Sequence, residues 1–192
     1  MPGDQAAEHV DAQVARVVAL VDAGTARCGT THLVAIDGPS GAGKTTLAAR
    51  VAAALAAPTV HMDDLYPGWG GLQAATTRLQ EWVVEPLQSG RPARYRRWDW
   101  VADAYAEWVQ LPASEVIVVE GCGSGARPAG QALSALVWVE AEESVRRARG
   151  LARDPGYAPY WERWAAQERD LYAADGTRAR ADLVLDTTFE RL

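Results

Sequence analysis

Residues 38–45 of the chain read Gly-Pro-Ser-Gly-Ala-Gly-Lys-Thr and match G-x-x-x-x-G-K-[ST], the pattern of a phosphate-binding P-loop. The apolar run at residues 33–37 is typical of a buried strand. The Ala- and Leu-rich residues 46–57, which end at Pro58, are typical of a helix. A strand, a glycine-rich loop and a helix in this order are the context that the motif requires, so the sequence predicts a phosphate site here.

Each residue type in this loop has a chemical role. The three glycines allow the backbone to turn tightly, so that several N–H groups face one point, and the start of the following helix adds partial positive charge there. Lys44, the only lysine of the chain, supplies a full charge for the β- and γ-phosphates of a nucleotide, and Thr45 supplies a hydroxyl to Mg²⁺. We therefore predict that the chain binds ATP and Mg²⁺. The expected nucleotide-binding residues are Gly38, Ser40, Gly41, Ala42, Gly43, Lys44, Thr45 and Thr46.

Length and composition are those of one globular domain, residues 1–192. The chain is 48% apolar and 23% charged, which is ordinary for a folded protein. Its net charge of −6 argues against a broad surface for nucleic acid or anionic membranes. No segment resembles a signal peptide or a membrane span, and Cys28 and Cys122 lack metal-type spacing. We expect a cytoplasmic protein with free thiols and without nucleic-acid or membrane partners, either a monomer or a homodimer.

Apolar runs and helical patterns alternate along the chain. Four more runs are typical of buried strands, at residues 59–62, 115–121, 135–140 and 181–186. Helical patterns cover residues 76–87, 141–152 and 158–174, and we expect a short helix over residues 102–108. The alternation predicts an α/β protein, with the three-layer P-loop NTPase fold and a five-stranded parallel sheet. An amphipathic helix over residues 4–24, within an N-terminal segment 1–30, is expected to cover the sheet or to bind a partner.

Acidic side chains follow two of the predicted strands. Asp63 and Asp64 come directly after the strand at residues 59–62, and Glu120 ends the strand at residues 115–121. Ligands bind beyond the carboxyl ends of parallel strands, so these carboxylates are expected near the P-loop. Glu120 stands where P-loop proteins place an acid for Mg²⁺, and we predict that it shares the metal with Thr45. Helix capping is the alternative interpretation of Asp63 and Asp64.

Two other segments carry less specific signals. Residues 67–71, Pro-Gly-Trp-Gly-Gly, form a glycine-rich loop that is a candidate lid or substrate loop. Residues 94–100 concentrate three arginines and three aromatic rings around one carboxylate, which suits either an anionic, ring-bearing ligand or a surface hairpin. Cys122 lies in a second glycine-rich stretch and is interpreted as a packing residue rather than a nucleophile.

These residues together resemble the nucleoside and nucleotide kinases, and most of all the uridine kinase-type proteins. The resemblance covers roughly residues 32–186 and rests on the P-loop, on Asp-x-x-Tyr at residues 63–66 and on the strand that ends at Glu120. It implies that Asp63 is the base for the acceptor hydroxyl and that Tyr66 lines the acceptor pocket. It also implies ribose contacts from Asp99 and a short, arginine-rich lid at about residues 146–157. The lid arginines implied are Arg146, Arg149 and Arg153, the last two with catalytic roles.

The sequence therefore predicts an ATP-dependent kinase that transfers a phosphoryl group to a hydroxyl of a small molecule, most plausibly a nucleoside. Two alternatives remain open. A nucleoside monophosphate kinase would use Arg94, Arg96 and Arg97 to hold the acceptor phosphate, and Arg97 is a candidate substrate contact in either case. A regulatory module would bind ATP without phosphorylating an acceptor. The loop at residues 67–71 and the segment at residues 98–100 depart from the uridine kinase pattern, so the identity of the acceptor is open.

Overall fold

A central sheet of five parallel strands organises the protein. The structure, a computed structural model, describes residues 2–189 and the side chains from Val10 onward. The strands follow the order β2-β5-β1-β6-β7 across the sheet, which confirms the predicted five-stranded parallel α/β fold. The strands of the chain are β1 (His32–Asp37), β2 (Thr59–His61), β3 (Arg94–Asp99), β4 (Ala104–Gln110), β5 (Val116–Glu120), β6 (Leu133–Glu140) and β7 (Leu183–Asp186).

Helices cover both faces of this sheet. The helices are α1 (Pro2–Ala23), α2 (Lys44–Ala54), α3 (Leu72–Leu79), α4 (Glu85–Gln88), α5 (Glu143–Arg153), α6 (Trp161–Asp175) and α7 (Thr177–Arg180). A π-helical turn, Gln80–Val84, joins α3 to α4, and a 3₁₀ segment, Pro155–Tyr160, joins α5 to α6. None of the helices in residues 2–189 is long and apolar enough to cross a membrane.

Alternating side chains of β1 pack into two separate cores. Val34 and Ile36 face the core under α1 and α2, to which α1 contributes Val17 and Val21. This contact confirms that the N-terminal helix covers one face of the sheet. On the other face, the chain's second core is closed by α3, α6 and the 3₁₀ segment, and β1 contributes Leu33 and Ala35 to it. Burial on both faces explains why the strands read as continuous apolar runs.

The segment after α4 forms an antiparallel hairpin, β3–β4, outside the main sheet. The short helix expected over residues 102–108 is therefore wrong. Tyr105 and Trp108 lie in β4, where both rings contact Trp82 and Tyr105 also meets Trp98 edge-to-face. Aromatic side chains fit the pleated surface of a paired strand, and these long-range contacts outweigh the helical pattern of the isolated segment.

Parallel pairing brings the ends of three strands to one edge. Ile36 of β1 and His61 of β2 are both register partners of Glu120, the last residue of β5. The P-loop follows β1, the acidic pair follows β2, and the second glycine-rich stretch follows β5. The register therefore gathers the predicted site residues from three separate parts of the sequence, as in other open parallel sheets.

Candidate functional site

The P-loop links β1 to α2 and is held tightly in place. Gly38, Gly41 and Gly43 all have positive φ, at 140°, 80° and 97°. A Cβ atom on Gly38 would lie 1.9 Å from the carbonyl oxygen of Val139, and one on Gly41 would lie 2.2 Å from that of Arg146. No other residue type fits either position, so the glycines are required by both backbone conformation and packing.

Asp37, the last residue of β1, ties the P-loop to the glycine-rich stretch after β5. Its fully buried carboxylate accepts hydrogen bonds from the N–H of Gly38 at 2.6 Å, of Gly123 at 2.9 Å and of Gly125 at 2.8 Å. The hydroxyl of Tyr172 donates a fourth bond at 2.8 Å. Four donors offset the cost of burying this charge. Sequence reasoning missed this role, because three of the four donors lie more than 85 residues away.

Lys44 is buried at the base of the site, with 7% of its surface exposed. Its ammonium donates to the carbonyl of Pro39 at 3.0 Å and lies 3.5 Å from the sulfur of Cys122. Burial acts to lower the pKa of Lys44, but nearby negative groups, including Glu168 and Glu120, outweigh it and raise the pKa. The ammonium is therefore charged at neutral pH and available to phosphate oxygens.

Thr45 and Glu120 meet as the sequence predicts. The Thr45 hydroxyl donates to one carboxylate oxygen of Glu120 at 3.2 Å, and Nδ1 of His61 lies 2.7 Å from the other. The hydrogen bond to Glu120 raises the pKa of His61. Among the described residues no group of three or more His, Cys, Asp or Glu side chains could hold a metal. A hydroxyl beside one carboxylate nevertheless fits Mg²⁺, which takes few protein oxygens when phosphates supply others.

Asp63 and Asp64 lie in a 3₁₀ turn, Met62–Asp64, which directly follows β2. Both line a cleft of about 1060 Å³ that also contains Lys44 and Thr45. The Asp64 carboxylate accepts a long hydrogen bond, 3.4 Å, from the Tyr95 hydroxyl of the hairpin. Within residues 10–189 the Asp63 side chain makes no hydrogen bond of its own. The turn thus gives the two carboxylates different surroundings.

The carboxyl of Asp63 is in an unusual electrostatic environment. The Asp63 side chain is exposed in the open cleft. Protein atoms packed around its carboxyl nevertheless displace part of its hydration, and this desolvation raises its pKa. The charge of Glu120 raises the pKa further, while Lys44 and Arg153 act in the opposite direction. A carboxylate with a raised pKa, and with no hydrogen-bond partner among the described side chains and backbone groups, is suited to accept a proton.

Only two of the three expected lid arginines reach the cleft. Arg149 and Arg153 line it, and Arg149 also donates to the hydroxyl and carbonyl of Thr187 at 3.0 and 2.8 Å. Arg146 instead lies under the P-loop, where it donates to the carbonyl of Ser40 at 3.1 Å. The helix α5 extends to Arg153, so only residues 154–157 of the expected lid lie beyond it. Together with the rest of the 3₁₀ segment they form residues 154–160, here called the lid segment.

A second part of the cleft lining consists of aromatic rings. Trp69 stacks on Tyr160 with ring centroids 4.5 Å apart and on Tyr157 at 5.1 Å, and it contacts Trp100 at 4.9 Å. The Trp100 indole donates to the carbonyl of Asp63 at 3.1 Å. The rings therefore join the lid segment, the loop at residues 67–71 and the tip of the hairpin. The aromatic residues that line the cleft are Tyr66, Trp69, Trp100, Tyr157, Tyr160 and Trp164.

Tyr66 is part of the cleft lining, but only 2% of it is exposed and its hydroxyl donates to the carbonyl of Cys122 at 2.8 Å. Cys122 is buried as well, as a packing residue would be, and burial raises the pKa of its thiol well above the ordinary value. The hydroxyl of Tyr66 is thus committed to the second glycine-rich stretch, which leaves the ring as the part of this residue that faces the cleft.

The structure does not bring Arg97 and Asp99 into the cleft lining. Arg97 pairs with the carboxylate of Glu107 across the hairpin, at 2.7 and 3.3 Å. Asp99 accepts the N–H groups of Val101 and Ala102, both at 2.9 Å, and so closes the hairpin turn. These bonds agree with the hairpin interpretation of residues 94–100, because charged groups that are paired locally are not available to a ligand in the cleft.

Comparison with known proteins addresses the fold. No protein-family model and no curated protein matches the chain. Among solved structures, a possible uridine kinase from Bacillus stearothermophilus has a TM-score of 0.63 and 20% sequence identity, and the match covers 97% of this chain and 100% of that one. A provisionally assigned fructose transport system kinase from a Silicibacter species has a TM-score of 0.55 and 23% identity, covering 91% and 98% of the two chains. The resemblance to uridine kinase-type proteins is therefore confirmed at the level of the fold.

Proposed function

We propose that the protein is an ATP-dependent kinase that phosphorylates a hydroxyl group of a small molecule. One observation carries this proposal: a single cleft holds the P-loop with its buried Lys44, the Thr45–Glu120 oxygen pair and the unpaired carboxylate of Asp63. These are the groups that phosphoryl transfer to a hydroxyl requires, namely a phosphate cradle, metal ligands and a proton acceptor.

Each group has a defined part in the reaction. The backbone of the P-loop and Lys44 bind the phosphates of ATP, and Thr45 and Glu120 would hold Mg²⁺, which neutralises phosphate charge when it is bound. The carboxylate of Asp63 accepts the proton of the acceptor hydroxyl. The hydroxyl oxygen then forms a bond to the γ-phosphorus, the bond to the bridging oxygen breaks, and ADP carries away that electron pair.

The lid arginines and the aromatic rings have supporting parts. Arg149 and Arg153 place positive charge at the cleft, which would stabilise the transferring phosphoryl group. Once an acceptor is bound, the rings that line the cleft would help to exclude water, and this exclusion would favour transfer to the acceptor over hydrolysis of ATP. Six aromatic residues also favour an acceptor with a flat or apolar portion, and a nucleoside meets that description.

The arrangement of the hairpin arginines disfavours a nucleoside monophosphate kinase. Arg96 donates to the carbonyls of Tyr105 and Ala106, and Arg94 lies over the ring of Trp108, 4.5 Å from its centroid. None of the three hairpin arginines lines the cleft. An acceptor phosphate would therefore lack the cluster of guanidinium groups that usually holds one.

An acceptor screen tests the proposal. ADP formation from ATP and Mg²⁺ is measured with nucleosides, other hydroxyl compounds and nucleoside monophosphates, using Asp63→Asn as the control for background hydrolysis. We expect turnover with one or more phosphate-free hydroxyl acceptors that the control lacks. Turnover only with monophosphates would favour the nucleotide kinase, and ATP binding without turnover across the panel would favour a regulatory module.

A further inference from the structure

Ser40, in the middle of the P-loop, is held from both sides by a buried ion pair. Its N–H donates to Oε1 of Glu168 at 2.7 Å, and its carbonyl accepts from the Arg146 guanidinium at 3.1 Å. The other carboxylate oxygen of Glu168 lies 3.9 Å from Arg146, and the two side chains are only 5% and 13% exposed. Both polar backbone groups of one P-loop residue are therefore bound by side chains far along the sequence.

The two side chains come from the helices on either side of the lid segment. Arg146 is on α5, which precedes it, and Glu168 is on α6, which follows it. The hydroxyl of Tyr157, within the lid segment, lies near Ser40 as well, and Ser40 acts to lower the pKa of that hydroxyl. Ser40 is thus the point where the P-loop, both flanking helices and the lid segment meet.

Glu168 is held in this position by further bonds. The indole of Trp164 donates to Oε1 at 2.9 Å and the thiol of Cys122 at 3.1 Å. A carboxylate with three donors on one oxygen cannot turn away from Ser40 without leaving buried donors unpaired. By contrast, the N–H groups of Gly41 and Gly43 donate to no other group within the part of the chain that is described.

We propose that Glu168 and Arg146 are positioning residues that clamp Ser40 and so hold the P-loop open for phosphate before a nucleotide binds. The clamp fixes the Ser40 peptide groups, and the N–H groups that follow stay directed at the phosphate site. It also anchors α5 and α6, so that only the lid segment between them moves when ligands bind. The proposal rests on the proposed function, because it assumes that the P-loop binds a nucleotide.

The test compares two substitutions of Glu168 that differ in hydrogen bonding. Glu168→Gln keeps an acceptor oxygen for Ser40, whereas Glu168→Leu keeps the volume and removes the acceptor. Isothermal titration with ADP and Mg²⁺ should show a dissociation constant about tenfold higher for Glu168→Leu and within about threefold of the unmodified protein for Glu168→Gln. Glu162→Leu and Glu162→Gln, on the exposed first turn of α6, are the matched controls.

Hydrogen exchange adds a readout that does not depend on affinity. In the nucleotide-free protein, amides 38–45 should lose protection in Glu168→Leu and keep it in Glu168→Gln. If Glu168→Leu does not fold, Arg146→Gln provides the same test, with a smaller expected rise in the dissociation constant. Variants that melt at lower temperature but bind ADP normally would assign a purely structural role and overturn the proposal. Equal losses of ADP affinity in both Glu168 variants would also overturn it, because the hydrogen bond from Ser40 would then not determine the affinity.

These outcomes separate the clamp from the proposed function. If the unmodified protein fails to bind ADP, the assignment of the P-loop itself is wrong. If it binds ADP and the clamp variants bind equally well, the assignment stands and only the clamp is refuted.

Discussion

The two sides of the cleft are built in different ways. On the P-loop side, the supporting groups are densely hydrogen-bonded: Asp37 accepts four hydrogen bonds, Glu168 accepts three and Ser40 is bound through both backbone groups. The other part of the lining is the cluster of rings around Trp69, and within residues 10–189 the Asp63 side chain beside it has no hydrogen-bond partner. A P-loop held by many hydrogen bonds thus adjoins a ring-lined region that holds the proposed base, and the proposed reaction needs both a fixed phosphate donor and a free carboxylate.

The largest effect is expected at the unpaired carboxylate. Asp63→Asn keeps the shape of the side chain and removes its basicity, so acceptor phosphorylation should fall by roughly 10²–10⁴-fold. ATP affinity should be nearly unchanged, because the P-loop side of the cleft is intact. Steady-state kinetics and ATP titration measure the two quantities. If the variant loses ATP affinity as much as turnover, Asp63 also contributes to nucleotide binding and the two sides of the cleft do not act independently.

The second largest effect is expected on the P-loop side. Lys44→Ala removes the only ammonium side chain of the chain and leaves the backbone cradle in place, so turnover should fall by roughly 10²-fold or more. Circular dichroism should show an unchanged fold, since the ordered loop does not depend on this side chain alone. Unchanged turnover in a folded variant would refute the role of Lys44 and weaken the assignment of the loop.

The sequence predicts the P-loop side of this comparison better than the other side. The motif at residues 38–45 is contiguous, so its glycines, Lys44 and Thr45 could be located by pattern, and Glu120 could be located as the end of a buried strand. The contacts that hold the loop were not predictable. Glu168 lies 128 residues from Ser40, in a helix whose pattern indicates only an amphipathic segment.

On the acceptor side, local pattern was a poor guide. The arginines and rings at residues 94–100 suggested a binding segment. In the structure, however, Arg97 pairs with Glu107, and Asp99 accepts the N–H of Val101, so both are bonded within the hairpin. The ring cluster of the cleft consists of Trp69, Trp100, Tyr157 and Tyr160, which three chain segments bring together only after folding. No spacing in the sequence predicts these ring contacts. The glycine-rich loop around Trp69 did indicate a candidate substrate loop.

The ring cluster predicts an intermediate effect. Trp69→Ala removes two stacked contacts, one tilted contact and one edge contact with Trp164. Each is worth roughly 0.5–1.5 kcal/mol in general, so the acceptor KM should rise by about tenfold. The KM for ATP should change much less. Trp108→Ala, on the hairpin surface outside the cleft, is the control and should leave both constants unchanged. Equal effects of the two substitutions would indicate general destabilisation.

The pH dependence sharpens the assignment of Asp63. Desolvation by the surrounding protein raises the pKa of its carboxyl. Because the protonated form cannot accept a proton, kcat/KM should fall as the pH drops through that raised pKa. The acid limb should therefore lie above roughly 4, the ordinary carboxyl value. The hydrogen bond to Glu120 raises the pKa of His61 above its ordinary value, and the limb assigned to Asp63 must persist in His61→Gln. An acid limb at or below about 4 would contradict the proposed base.

The smallest effect is expected at the neighbouring carboxylate, and it is the most informative control for Asp63. Asp64 faces the hairpin, where its single hydrogen bond from Tyr95 is 3.4 Å long. Such a bond contributes little, so Asp64→Asn should change turnover by less than about fivefold.

Tyr95→Phe removes the same bond from the hairpin side and should match the effect of Asp64→Asn. The two aspartates are adjacent in one turn and carry the same charge. A general electrostatic effect would therefore impair both Asn variants alike. Only a base in hydrogen-bonding reach of the acceptor gives a large loss at one position and a small loss at the other. If Asp64→Asn is the inactive variant, the proton acceptor is Asp64, and the hairpin, through Tyr95, belongs to the catalytic side of the cleft.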